Sequence, residues 1–245
     1  MRITFRSHAI RTAAGSLILV CVTSGVARGQ PFANVKQSLV DYSRTDVEPR
    51  VPCDRLAATF KSKELAGIEA SSVAAAGDVP AHCRVSGVLH PEIAFEVNLP
   101  AKWNRRFYMI GNGGHAGEAL DNAGRVAQRS AALQHGFVMA QTNTGHDSRK
   151  EPQATFVLSN PQKAVDYAYR AVHLTATTAK DIAEKYYSKD VERSYWNSCS
   201  NGGRQGLIEA QRYPTDFDGI VANAPWVDQT GFTIGAMWNQ RALTD

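Results

Sequence analysis

An α/β fold, a mostly parallel sheet flanked by helices on both faces, is what this sequence predicts, and three observations carry that expectation. Ile93, Phe95, Val97 and Leu99 alternate with Ala94, Glu96 and Asn98, the two-residue period of a strand. Short apolar runs at 107–110, 137–141, 194–198 and 219–224 are separated by helical stretches, which is the order of a parallel sheet with helical crossovers. The stretch 161–187 places Val165, Tyr169, Val172, Ala176, Ala179, Ala183 and Tyr186 on one helical face.

The chain has 245 residues, 43% hydrophobic and 20% charged, enough for one domain and well outside the disordered range. Residues 1–29 read as an export signal: Arg2, Arg6 and Arg11 precede an apolar run through Leu17, Ile18, Leu19 and Val20, then small Gly25, Ala27 and Gly29. A secreted or periplasmic location follows, where cysteines pair. Cys21 would leave with the signal. Cys53 and Cys83 are then expected to bridge residues 30–90, read as an N-terminal cap segment, and Cys199 is left odd. Residues 91–226 form the sheet. Within them Pro100 ends the first strand, Gly136 stops a helix over 123–135, and Asn160 followed by Pro161 starts the longest helix. Pro214 ends a helix over 202–213, Pro225 ends the last strand, and 227–245 shows no closing element. The net charge of +4 comes without a Lys/Arg stripe, and no later run is long and apolar enough for a membrane helix. Neither a nucleic-acid nor a membrane partner is expected.

The chemistry sits in Ser194-Tyr195-Trp196-Asn197-Ser198-Cys199-Ser200-Asn201-Gly202-Gly203. Ser200 falls where a strand meets a helix, the place of a nucleophile elbow, whose sharp turn lifts a serine oxygen above the sheet. The backbone crowds there, so Gly202 and Gly203 fit. The Asn201 amide, at the helix start, can face a developing oxyanion. Ser198 stands where Gly-x-Ser-x-Gly has its first glycine. A second loop, Gly111-Asn112-Gly113-Gly114-His115, follows a strand where such hydrolases supply their other oxyanion amide, from Gly113 or Gly114. Gly111, Gly113 and Ala116 also fit a loose dinucleotide pattern. That reading needs a helix at once and an acid after the next strand, where Gln141, Thr142 and Asn143 stand instead. All seven histidines, His8, His82, His90, His115, His135, His146 and His173, precede Ser200. The expected order is serine, acid, histidine, so no triad closes in that order, and His146 and His173 read as loop and helix-face residues. With no HExxH and no paired CxxC, neither a metal site nor a cofactor is expected in these residues.

Cys199-Ser200-Asn201-Gly202-Gly203-Arg204-Gln205-Gly206 closely resembles the signature of the tannase and feruloyl esterase family. So do Glu209-Ala210-Gln211-Arg212-Tyr213-Pro214, Asp216-Phe217-Asp218-Gly219-Ile220-Val221, Trp103-Asn104 and Asn143-Thr144-Gly145-His146. The resemblance runs from about Cys53 onward. It implies an α/β-hydrolase-type fold and a serine carboxylic-ester hydrolase working through an acyl-enzyme on aromatic acid esters, feruloyl or galloyl, with a terephthalate monoester as a rarer substrate. It further implies Ser200 as nucleophile, Asn201 with Gly113 or Gly114 as oxyanion amides, and Cys199 as the partner of a cysteine beside the catalytic histidine. The family's lid, with its structural calcium, would start at 227–245. The acid, the His-Cys pair and the lid do not occur in these residues, so the chain reads as a truncated one, inactive alone and poorly soluble. The alternatives are a noncatalytic binding protein or relic with a decayed elbow at Ser198, and a nucleotide-binding oxidoreductase using the Gly111 loop.

Overall fold

The computed structural model describes residues 47–244. The expected export signal and residues 30–46 lie outside them. Seven strands form one sheet: β1 (Leu65–Val73), β2 (His82–Leu89), β3 (Ile93–Pro100), β4 (Arg106–Met109), β5 (Val138–Thr142), β6 (Arg193–Cys199) and β7 (Gly219–Asn223), in the order β1-β2-β3-β5-β4-β6-β7. Connection length sets the direction of pairing. The short link from β2 to β3 makes an antiparallel hairpin, whereas the helical crossovers between β4 and β5, and between β6 and β7, return the chain in parallel. The result is the expected α/β-hydrolase-type sheet between helices. It is parallel through β5, β4, β6 and β7, and antiparallel at β1, β2 and β3.

Helices cover both faces. On one side α5 (Ala171–Tyr187) lays Val172, Ala176, Ala179, Ile182, Ala183 and Tyr186 on the sheet. The alanines bring its backbone close, while Tyr187 stacks on Trp103 at 4.5 Å and its hydroxyl donates to the Pro100 carbonyl. These residues join Val85, Leu89, Ile93, Phe95, Val97, Leu99 and Phe107 in the main core. After the short α3 (Phe156–Ser159), Asn160 caps α4 (Pro161–Val165), accepting from the Gln162 amide, and a π-helical turn at Asp166–Arg170 joins α4 to α5. On the other side α2 (Ala123–Gln134) buries Arg125 and Arg129 with Ala132 and Leu133. Arg129 meets Glu96 at 2.7 Å, and Gln141 and Asn98 also donate to the Glu96 carboxylate. The polar half of the β3 alternation is therefore inside the protein, roofed by α2, with Arg129 pairing the Glu96 carboxylate. A buried carboxylate is tolerated on those terms.

Two segments differ from expectation. Residues 65–89 are not a cap: they are β1 and β2 of the same sheet. The edge strand β1 buries none of its side chains completely, so its sequence lacks the apolar alternation that marks a strand. The disulfide between Cys53 and Cys83 is formed, and it ties the short helix α1 (Cys53–Leu56) to β2. Residues 229–244 are helical, as α7 (Gln229–Thr244), with Phe232, Ile234, Met237, Trp238 and Leu243 exposed. Among the described residues no helix is long and apolar enough to cross a membrane.

Candidate active site

β6 ends at Cys199 and α6 (Asn201–Arg212) begins at Asn201, with Ser200 the single residue between them. Its backbone sits at φ 59, ψ −122, a region that residues with a Cβ rarely occupy. The turn is clamped from β7: the Ser200 amide donates to the Asn223 carbonyl at 3.0 Å, and the Trp226 amide donates to the Ser200 carbonyl at 3.0 Å. Ser200 is exposed, and its hydroxyl has no hydrogen-bond partner among the described residues.

Glycines make room for this geometry. A Cβ on Gly202 would lie 1.9 Å from the Ser198 hydroxyl, and one on Gly203 would lie 2.5 Å from the Asn223 carbonyl oxygen. Ser198 thus fits in the place of the motif's first glycine because Gly202 has no side chain. Beneath the turn, Trp196 is buried and its indole N–H donates to the Gly202 carbonyl at 3.1 Å. A Cβ on Gly111 would strike that indole at 2.6 Å, so one tryptophan spaces both glycine loops.

The Gly111 loop is fastened to α6 directly. The Asn112 amide donates to Gln205 Oε1 at 2.9 Å, and Gln205 Nε2 donates back to Asn112 Oδ1 at 3.2 Å. Asn112 Nδ2 donates to the Thr142 carbonyl and to Glu118 Oε2. Glu118 also accepts from the Gly113 amide at 2.9 Å and pairs with buried Arg125 at 3.3 Å. Gly113 is thereby engaged. Gly114, at φ +47, is exposed, its carbonyl accepts from the Tyr167 hydroxyl at 3.3 Å, and its amide has no acceptor among the described residues. The loop runs irregularly to α2 at Ala123, without the immediate helix a dinucleotide site needs.

Asn201 is fully buried, and as the first residue of α6 its amide has no intrahelical acceptor. Its side-chain oxygen accepts from Arg204 Nε at 2.7 Å and from the Tyr167 hydroxyl at 3.1 Å. Tyr167 lies in the π turn, where hydrogen bonding is re-routed and carbonyls are freed. Arg204 takes up two of them, on Tyr167 and Ala168, at 3.1 and 3.0 Å. Burial raises the Tyr167 pKa, which keeps the hydroxyl protonated and a donor. The π turn, the Gly114 loop and the start of α6 are thus one hydrogen-bonded unit.

The remaining predicted residues fall as follows. Cys199 is a free, exposed thiol beside Ser200. His146 is buried in the loop after β5 and stacks on Phe156 at 3.9 Å, where burial lowers its pKa. His173 lies on α5, bonded to Asp216 at 2.7 Å. His115 packs edge-on to Trp226 at 5.4 Å. Sequence reasoning passed over Glu118 and Tyr167, which sit in no local motif; Asn112 and Gln205 lie within the quoted Gly111 loop and signature string, but no role was read for either.

A family model for tannase and feruloyl esterase matches residues 77–245. The chain is 32% identical over 190 residues to the mono(2-hydroxyethyl) terephthalate hydrolase of Piscinibacter sakaiensis, a match covering 71% of this chain and 32% of that protein. Among solved structures it is similar to feruloyl esterase B from Aspergillus oryzae, at 29% identity and a TM-score of 0.56 over 71% of this chain and 36% of that one. An esterase from the same organism matches at 27% identity and a TM-score of 0.57, over 71% of this chain and 37% of the other. The chain spans about a third of the length of these relatives.

Proposed function

The chain belongs to the tannase and feruloyl esterase family, and from that premise we propose that it carries the nucleophile and oxyanion hole of an exported serine carboxylic-ester hydrolase acting on aromatic acid esters. The observation that supports this best is the backbone of Ser200, a serine held at φ 59 between a strand end and a helix start. Strain of this kind persists only where surrounding structure over-determines it, and the clamp from Asn223 and Trp226 does so here.

In this reading Ser200 Oγ attacks the ester carbonyl and passes its proton to a histidine base. The tetrahedral oxyanion is met by the amides of Asn201 and Gly114, the two donors not otherwise engaged, with the positive end of α6 behind them. Collapse expels the alcohol and leaves an acyl-enzyme, which water then cleaves. No histidine follows Ser200 within residues 1–245, so the base, its acid and the cysteine that would pair with Cys199 are assigned to chain beyond them. The lid and any calcium it holds are assigned there too. Exposed apolar side chains on α7 agree with further chain packing on that helix. Aromatic acyl specificity rests on the names of the relatives, a feruloyl esterase and a terephthalate monoester hydrolase. The Cys53–Cys83 bridge fits an oxidising compartment and so the proposed export.

The test is hydrolysis of methyl ferulate, methyl gallate and mono(2-hydroxyethyl) terephthalate by the protein that includes the chain carrying the proposed base, and by its Ser200→Ala variant. Loss of the nucleophile is expected to lower kcat by about 10⁴-fold or more. A variant that retains the parent rate overturns the assignment of Ser200.

A further inference from the structure

A second cluster of chemistry-bearing side chains lies in the last turn of α6, eight residues and about 12 Å along the helix from Asn201. His173 of α5, Glu209 of α6 and Asp216 of the following loop bring one ligand atom each to within 4.8 Å of one another. Glu209 has no exposed surface, and no N–H or O–H donor among the described residues reaches its carboxylate, which lies beside the Asp216 carboxylate. Asp216 is 5% exposed, with Oδ2 2.7 Å from His173 Nδ1. Two carboxylates therefore share one buried space.

Lys180 attracts both carboxylates but hydrogen-bonds to neither. The Lys180 ammonium donates to the main-chain carbonyl of Asp216, and it rests over the rings of Phe107 and Phe217 at 5.9 and 5.6 Å. An ionised carboxylate away from water needs a proton or a cation. The geometry points to a cation: we propose that His173, Glu209 and Asp216 bind a divalent metal ion of the zinc or manganese class.

One imidazole nitrogen and two carboxylate oxygens form a donor set that such borderline ions accept. With bonds of about 2.0–2.1 Å, tetrahedral ligand atoms stand roughly 3.4 Å apart. The widest separation here then closes by about 1.4 Å, within the reach of side-chain rotation. The His173 ring is already set in plane by stacking on Tyr213, at 3.8 Å and 9°. Its side chain is 30% exposed, which gives an entry path from solvent and room for water on the ion. A bound ion would lock α5, α6 and the loop before β7 together behind the Ser200 turn. Its role is thus structural, and the proposal stands apart from the esterase reading.

The experiment uses the tag-free protein, stripped with a chelator and titrated with Zn²⁺ or Mn²⁺. Bound metal per chain is measured by mass spectrometry and the unfolding temperature by calorimetry. One equivalent is expected, with a raised midpoint, and His173→Gln should weaken binding at least tenfold. Glu209→Gln, which keeps the side-chain volume, should do the same. Because His173 is part-exposed, its variant is the one expected to fold unaided. A stripped protein that takes up no stoichiometric Zn²⁺ or Mn²⁺ overturns the proposal, leaving a proton shared by Glu209 and Asp216. So does a His173→Gln variant that binds as tightly as the parent.

Discussion

Gly203→Ala probes the tightest contact that a site glycine makes with backbone. An alanine Cβ there would lie 2.5 Å from the Asn223 carbonyl oxygen and 2.9 Å from Pro225 Cα, against the 3.4 Å of ordinary contact. Both neighbours are backbone atoms at the end of β7, so no side chain can rotate away. Relief requires α6 and β7 to separate by about 0.9 Å, the difference between those two distances. Overpacking of this kind costs about 1–3 kcal/mol. Alanine's better helix propensity offsets about 1 kcal/mol of it, leaving a net loss of up to about 2 kcal/mol. For a domain of this size that lowers the unfolding temperature by about 4–8 °C. The same shift carries the Asn201 amide and Ser200 out of register. A misplacement near 1 Å costs on the order of 10²-fold in rate. Urea unfolding and kcat on an aromatic ester, measured on one preparation, separate the two effects. Gly113→Ala is the control for stability, since its Cβ would meet nothing nearer than 3.7 Å. Gly203→Ala with parental stability and parental kcat would refute the idea that β7 clamps the serine turn.

Other consequences are as direct. The Cys53–Cys83 bridge spans 30 residues, and loop entropy assigns it about 3–4 kcal/mol; reduction, or the double serine variant, should lower the urea midpoint and raise the slope, because the unlinked unfolded chain expands and exposes more surface. Asn112→Ala and Gln205→Ala each strand a buried partner and should each destabilise by about 1–3 kcal/mol. The double variant should lose clearly less than the sum, a coupling that unfolding curves of the four proteins would reveal. In metal-free protein, burial and the neighbouring Asp216 carboxylate raise Glu209 to about 9, with His173, Lys180 and Tyr213 the other titratable groups facing it. The folded state then holds a proton that the unfolded chain releases. Stability is fully present below the ordinary glutamate value near 4.5, and it falls as pH rises toward 9. Glu209→Gln should flatten that slope in pH-resolved melting curves.

The parts of this molecule that were legible in sequence are those where one local rule suffices. The strand–Ser200–helix junction announces itself through small residues at Ser198, Gly202 and Gly203, and each spacing proves necessary at a named contact. Asn160 and Pro161 mark a helix start that the Asn160 side chain does cap. Cys53 and Cys83 pair as their setting suggested. Where tertiary cover decides, sequence falls short. Glu96 and Asn98 alternate with apolar residues as a solvent face would, yet α2 buries them. The exposed edge strand β1 shows no apolar period, so residues 65–89 read as part of the cap segment. Gln205 reaches the Gly111 loop from 93 residues away, and His173, Glu209 and Asp216 converge from three separate elements. Pairings that distant leave no spacing to find. The π turn at Tyr167 is likewise invisible, because it differs from the surrounding helix only in which carbonyl each amide meets.

The measurement that tests the central claim most directly is the capture of the acyl-enzyme. The protein that includes the chain carrying the proposed base is mixed with an aromatic ester such as 4-nitrophenyl ferulate, quenched in acid within seconds, digested and read by peptide mass spectrometry. The account predicts a feruloyl mass on the peptide that contains Ser200, absent from Ser200→Ala. Turnover with no adduct on that peptide, or an adduct on another residue that persists in Ser200→Ala, would contradict it.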